Sequence, residues 1–175
     1  MPKYNSTFPV EVSSRYPKTT RTAIAEEIIN YIVEKAKSGV SPVTGRPFKG
    51  YSEKYVKSMD FRIAGKSKNK VDLTLSGDML GVMELIKDVR GRLIIGINEN
   101  KYPREAGKAE GNNEGTYGHS SPIMPGRKFL GISKGALKEI LDKYPLDDLE
   151  KMERRSAKME KVREMREQAE EDVEE

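Results

Sequence analysis

The sequence predicts an α+β domain in which an N-terminal and a C-terminal helix pack on a small, largely antiparallel sheet. Three patterns carry that prediction. Ile24, Ile28 and Ile32 recur every four residues, with Ala25, Ile29 and Val33 widening the stripe, which is the signature of a helix with one broad buried face. Met83, Leu85 and Val89, then Leu93, Ile95 and Ile97, alternate with polar positions on either side of Arg90-Gly91, as two strands of a hairpin do. Leu137, Ile140, Leu141 and Tyr144 return to helical spacing between Ser133 and Pro145.

Taken in order, residues 1–18 hold three prolines and no helical period, and read as an extended arm. Thr19 or Thr20 is suited to cap the first helix, which should run to about Lys37 and stop at Ser38-Gly39. Residues 40–50 carry two prolines among other turn-formers and should form a loop or short turns. Ser52 can then cap a short helix through about Ser58, with Tyr55 and Val56 facing inward. Lys66, Lys68 and Lys70 alternate with Ser and Asn, as in an exposed basic loop.

Val71 to Leu75 has the two-residue period of a half-buried strand, and Ser76 should cap a short helical turn over Gly77 to Leu80. Gly91 tolerates the positive φ that a tight hairpin turn demands. Pro103 fits the first turn of a short helix to about Lys108. Residues 112–126, rich in Gly, Asn, Ser and Pro, read as a long loop, and loops of that length are usually functional or unstructured. Ser133 should cap the last core helix, with Ile132 and Leu137 spaced as a hydrophobic staple.

Beyond Pro145 the chain is dominated by charge. Residues 147–175 contain twelve acidic and seven basic side chains, a net of −5, which leaves +9 on residues 1–146 of a chain whose total is +4. Leu149, Met152, Met159, Val162 and Met165 do not hold a heptad seam, because Ser156, Arg163 and Arg166 interrupt it. The expectation is a solvated helical arm that docks thinly on a neighbour. The domain plan is therefore an extended arm over 1–18, a core over 19–146 and a charged helical arm over 147–175.

The residue inventory argues against catalysis. With no cysteine there is neither a disulfide framework nor a thiolate metal site. His119 is the only histidine and lies in a Gly/Ser segment without metal-ligand spacing, so it reads as an exposed loop residue. Gly107 to Gly118 lacks the spacing and the preceding strand of a phosphate loop. The acidic residues mostly pair with Lys or Arg at helical spacing, as solvated faces do. Neither a cofactor nor a catalytic metal is expected. No apolar run approaches the roughly 20 residues of a membrane span, and the first ten residues lack the apolar core of a signal peptide. These features suit a protein made in a cytoplasm, or packed into a particle assembled there. Lys66, Lys68 and Lys70 are candidate contacts to a partner or to the phosphates of DNA, although no aromatic residues are interleaved among them to stack bases.

Three spaced segments remain. The first is Gly45-Arg46-Pro47-Phe48 with Tyr51-Ser52 and Tyr55. The second is Leu73-Thr74-Leu75-Ser76-Gly77-Asp78-Met79-Leu80. The third is Arg127-Lys128-Phe129-Leu130-Gly131-Ile132-Ser133. In this order they resemble the tailed-bacteriophage virion morphogenesis proteins, which complete the tail or neck and help join tail to head. The resemblance covers residues 22–144, and the long 112–126 loop and the charged arm depart from the family pattern. It implies that Gly45, Pro47, Phe48, Tyr51, Tyr55, Leu75, Gly77, Met79, Arg127, Phe129, Leu130 and Gly131 are family motif and core positions. It also implies that Arg127 to Ile132 ends the long loop and returns the chain to the core.

The resemblance further implies a structural virion protein of the neck or tail-completion type. Copies would form a ring, a hexamer by preference, at the head–tail or tail-end interface, alongside other neck, connector or tail proteins. Its location would be the virion, assembled in the bacterial host cytoplasm. A closed ring joins one patch to a different patch on the next copy, and the basic body and acidic arm offer two such patches. The rival reading from the +9 body and the lysine loop is a non-specific nucleic-acid-binding accessory protein. A third class, an enzyme such as a nuclease, is disfavoured by the inventory above.

Overall fold

The computed structural model describes residues 4–71, 73, 78–117, 119, 123–146, 156, 158–161 and 163. It is α+β, as the sequence predicts. In chain order the elements are β1 (Thr7–Glu11), α1 (Lys18–Ser38), α2 (Glu53–Val56), α3 (Met59–Ile63), α4 (Asp78–Gly81), β2 (Met83–Val89), β3 (Arg92–Ile97), α5 (Pro103–Glu114) and α6 (Lys134–Leu141). The chain divides into two compact units, residues 1–140 and 141–175.

The sheet has three antiparallel strands in the order β1-β3-β2. Its hairpin closes through two residues, Arg90 at φ 51° and Gly91 at φ 92°, the pair of positive φ values whose twist suits a two-residue connection. Gly91 is required for a second reason: a Cβ there would lie 2.5 Å from the Val12 carbonyl oxygen. The central strand β3 buries Leu93, Ile95 and Ile97 completely, so its alternation is a true core face.

β1 corrects the reading of residues 1–18 as an arm. Thr7 to Glu11 pairs with β3 from Gly96 to Arg92, and Val10 is buried. Pro9 is compatible with this because β1 is an edge strand, where one side of the ladder needs no donor.

A bulge between Leu85 and Lys87 corrects the reading of β2 as regular alternation. Leu85 faces Ile95, but Lys87 faces Ile94, so the extra residue inverts the side-chain parity. Val89 consequently points outward, 48% exposed, although its spacing marked it as inward.

α1 lies across β2 and β3 and buries Ile24, Ala25, Ile28, Ile32 and Ala36. Its N-cap is Pro17 without a side-chain cap bond, rather than Thr19 or Thr20. The helix start is instead tied by Arg21, whose guanidinium donates to the Tyr16 carbonyl and, from Nε, to Asp88 Oδ2 at 2.7 Å. Gly39 ends α1 in the left-handed conformation at φ 85°, as its position after the last apolar residue predicts.

Residues 39–48 fold back on themselves. Phe48 N donates to Gly39 O, Ser41 N donates to Arg46 O, and Val40 pairs with Pro47. Ser52 and Ser58 each cap a short helix, accepting from Tyr55 N and Phe61 N, so the one helix expected here is two. Of the strand expected over 71–75, Val71 and Leu73 are buried and neither is in a strand, while the other positions lie outside the described residues. The cap expected at Ser76 also lies outside them.

α5 is longer than the sequence suggests. It runs to Glu114, so 112–114 belong to a helix and not to a loop. α6 begins as predicted, with Ser133 Oγ accepting from Ala136 N at 3.2 Å. Of the arm, Ser156, residues 158–161 and Arg163 are described, and they are helical and exposed.

Candidate functional site

A cavity of about 470 Å³ lies within the first unit, in the size range of ligand pockets. Its walls come from the α2 region, from Leu73 and Met79, from the second half of α5 and from Tyr117, Met124, Pro125 and Arg127. Each wall has a local cause. The Ser52 and Ser58 caps turn the chain twice in a few residues, and this gathers three rings. Tyr51 and Tyr55 lie 5.3 Å apart, and Phe61 meets them edge-on at 5.4 and 5.5 Å. Such edge-to-face contacts match the positive ring edge to the negative ring face. Phe61 is buried beneath, leaving the two tyrosines to line the cavity.

The opposite wall depends on the end of α5. Asn113 is buried, and its Oδ1 accepts from the backbone N–H of Phe129 and of Leu130 at 3.0 and 3.1 Å. Arg127 N donates to Asn112 O at 2.8 Å. The helix end thus takes the place of a strand partner for residues 127–130. Gly115 closes α5 at φ 80°, and a Cβ there would sit 2.1 Å from the Met124 carbonyl oxygen. Gly111 gives Tyr117 room to lie on the helix, since a Cβ would fall 2.7 Å from its Cδ1. Tyr117 itself holds φ 46°, an uncommon conformation for a residue with a Cβ.

Arg127 sits at the centre. It is 5% exposed, and its guanidinium carbon lies 5.3 Å from the centroid of the Tyr51 ring. Its Nε has no hydrogen-bond partner, and no carboxylate among the described residues pairs with its guanidinium. Lys66 approaches Tyr51 differently. Its Nζ is 5.4 Å from the ring centroid but 3.1 Å from Oη, so it sits at the hydroxyl edge and donates there rather than lying over the face. Lys108 adds a third cation, and Asn112 bridges walls by donating from Nδ2 to Lys108 O at 2.9 Å, with Met79 Sδ at 3.9 Å.

Burial pushes the Tyr117 hydroxyl above its ordinary range, and the nearby Arg127 cation only partly offsets this. Burial likewise raises Tyr55, against the opposing pull of Lys66. Both phenols are therefore neutral hydroxyls at pH 7. The site is an apolar, aromatic cavity with one buried guanidinium and two ammonium groups.

The three sequence segments meet here in part. Tyr51 and Tyr55 of the first, Met79 of the second and Arg127 of the third all line the cavity. Gly45, Pro47 and Phe48 do not: they belong to the 39–48 turn, with Gly45 at φ 69°. Phe129 is fully buried and Leu130 half-buried. Gly131 holds φ 142° against Val43. Leu75 and Gly77 lie outside the described residues. The lysine loop is also divided. Lys66 is part-buried at the cavity, a correction to its reading as an exposed loop residue, while Lys68 and Lys70 are exposed and outside it. Sequence reasoning missed Lys108, Asn112 and Tyr117. Lys108 and Asn112 have the four-residue spacing of one helix face, but that signal is invisible unless the helix is known to extend past Lys108.

No protein-family model, curated protein or solved structure matches the chain. Among the described residues no helix is long and apolar enough to cross a membrane, and no group of three or more His, Asp or Glu is placed to hold a metal ion.

Proposed function

We propose that this is a structural virion protein of the phage neck or tail-completion type, whose copies close into a ring, a hexamer by preference, at the head–tail or tail-end interface. The observation that carries the reading is the convergence of the three motif segments. Residues from 51–55, 79 and 127 are far apart in sequence and line one cavity, which supports reading the segments together. The split of +9 on residues 1–146 and −5 on residues 147–175 supports it, because a ring needs two unlike patches on every copy.

In this reading the protein has no catalytic role and needs no metal or cofactor. It works in the virion, beside other neck, connector or tail proteins. Electron microscopy of the protein, alone and with a tail-tube protein, tests it: closed rings of uniform copy number are expected in at least one of the two settings.

A second reading, a non-specific nucleic-acid-binding accessory protein, draws on the +9 body and on the exposed Lys68 and Lys70. It predicts binding of a lone monomer to duplex DNA that weakens steeply as salt rises. The withdrawal of Lys66 into the cavity removes one cation from that surface and makes this the weaker reading.

A further inference from the structure

Arg127 presents an unusual combination. An arginine that is 95% removed from solvent is normally met by a carboxylate or by several carbonyls, because an uncompensated buried charge is costly. Here Nε has no partner, and the guanidinium lies against the ring of Tyr51. The group borders a preformed cavity of about 470 Å³ rather than packed core. We infer that this cavity is a binding site for a carboxylate carried on an apolar or aromatic stem, with Arg127 as the residue that receives the carboxylate.

The walls select that chemistry. Guanidinium presents a planar fork that matches a carboxylate with two parallel hydrogen bonds. Leu73, Met79, Met124 and Pro125 offer apolar surface for a stem, and Tyr55 and Tyr117 add aromatic wall. A phosphate fits less well. Phosphate sites use backbone N–H groups at helix N-termini, whereas this cavity borders the second half of α5, next to its C-terminal end at Gly115. The partial negative charge of that end opposes a dianion more than a monoanion. Lys66 and Lys108 raise the local positive potential and draw an anion toward the cavity.

Two sources can supply this ligand. One is a free small carboxylate. The other is an acidic protein segment in which Glu or Asp stands beside apolar residues, as in residues 147–163 of this chain with Leu149, Met152, Met159 and Val162. The inference does not depend on the ring reading, since it concerns one cavity in one copy.

Calorimetric titration of the full chain tests it, with benzoate, phenyl phosphate and a capped peptide of residues 147–163 as probes. Benzoate, the peptide or both should bind, and Arg127→Met should weaken that binding at least about tenfold, the loss of one charge-assisted hydrogen bond. Arg127→Lys, which keeps the charge without the fork, should weaken it to an intermediate degree. The melting temperature of Arg127→Met should stay level or rise, because an unpaired buried charge has been replaced by an apolar chain of similar length. A merely structural arginine would instead lose stability. Benzoate binding without peptide binding assigns the site to a free carboxylate, and peptide binding that benzoate displaces assigns it to an acidic segment. Failure of both probes, equal binding by Arg127→Met, or tighter binding of phenyl phosphate than of benzoate would overturn the inference.

Discussion

The side chain of Asn113 holds the backbone of Phe129: Oδ1 accepts the Phe129 N–H at 3.0 Å and the Leu130 N–H at 3.1 Å, the first of them buried. This pair joins the end of α5 to the segment that supplies both the largest fully buried side chain, Phe129, and the cavity arginine, Arg127. Asn113→Ala should leave two donors unpaired and cost about 1–3 kcal/mol for each one that stays buried. Denaturant melts measure the loss, and loss of benzoate affinity should accompany it, because Arg127 is positioned through the same contact.

Phe129→Ala should cost about 3–5 kcal/mol and Ile28→Ala about 2–5 kcal/mol, the range for emptying a packed core position. Both residues are fully buried. The two changes should shift the denaturant midpoint with little change in slope, and losses below about 1 kcal/mol at both positions would place the core elsewhere.

Gly96→Ala tests the N-terminal strand. Gly96 holds φ 150°, and a Cβ there would lie 2.3 Å from the Ser6 carbonyl oxygen, so the edge strand must move. The backbone strain alone is worth about 1–3 kcal/mol. Hydrogen exchange should show the amides of β1 losing protection while those of β2 retain theirs. An unchanged β1 would refute the pairing.

The ion pair of Arg21 with Asp88 gives a pH prediction. Burial tends to raise the Asp88 carboxyl, but hydrogen bonds from Arg21 and from the Gly91 N–H outweigh it and hold the carboxyl below its ordinary value. A depressed folded value means stability that is present above the unfolded pKa of about 3.9 and is lost as pH falls through the folded one. Arg21→Met should cost about 1.5–3 kcal/mol at pH 7, as for a hydrogen bond between charged groups. The gap between parent and variant should shrink as pH drops below about 4, and a gap constant with pH would contradict the assignment.

Tyr55 and Tyr117 give the alkaline counterpart. Burial raises both phenols, so the unfolded chain releases its protons first and stability should fall as pH rises above about 10. Absorbance titration should show the phenols of Tyr55 and Tyr117 ionising late. In Arg127→Met the Tyr117 phenol should ionise later still, since a cation that favours its anion is gone.

Much of this fold was legible because its signals are local. The isoleucine stripe of α1, the Arg90-Gly91 turn and the caps at Ser52 and Ser133 each follow from a few neighbouring residues. β1 was not, because Pro9 and the flanking prolines hid a strand whose only partner lies more than eighty residues away. The end of α5 was hidden by Gly111, Asn112 and Asn113, all poor helix formers that tertiary contacts hold helical. The bulge at Leu85 to Lys87 has no sequence mark at all, and it alone turns Val89 outward. For the site, six lining residues (Tyr51, Ser52, Tyr55, Leu73, Met79 and Arg127) fall in the motif segments. Their convergence was not foreseeable, since it depends on how α5 and the short helices meet.

The arm has its own prediction. Every buried core residue named above precedes residue 141, so a chain ending at Pro145 should keep the melting behaviour of the core. It should nevertheless assemble poorly, because the −5 segment that complements the +9 body is gone. Assembly of the full chain should weaken with salt, as exposed charges are screened beyond roughly 8 Å at physiological ionic strength. Normal assembly of the shortened chain would make the arm dispensable.

Native mass spectrometry of the purified protein at micromolar concentration, alone and with a tail-tube protein, tests the central claim most directly. The account predicts a closed ring of fixed copy number, a hexamer by preference, in at least one of the two settings. A strict monomer in both would contradict it.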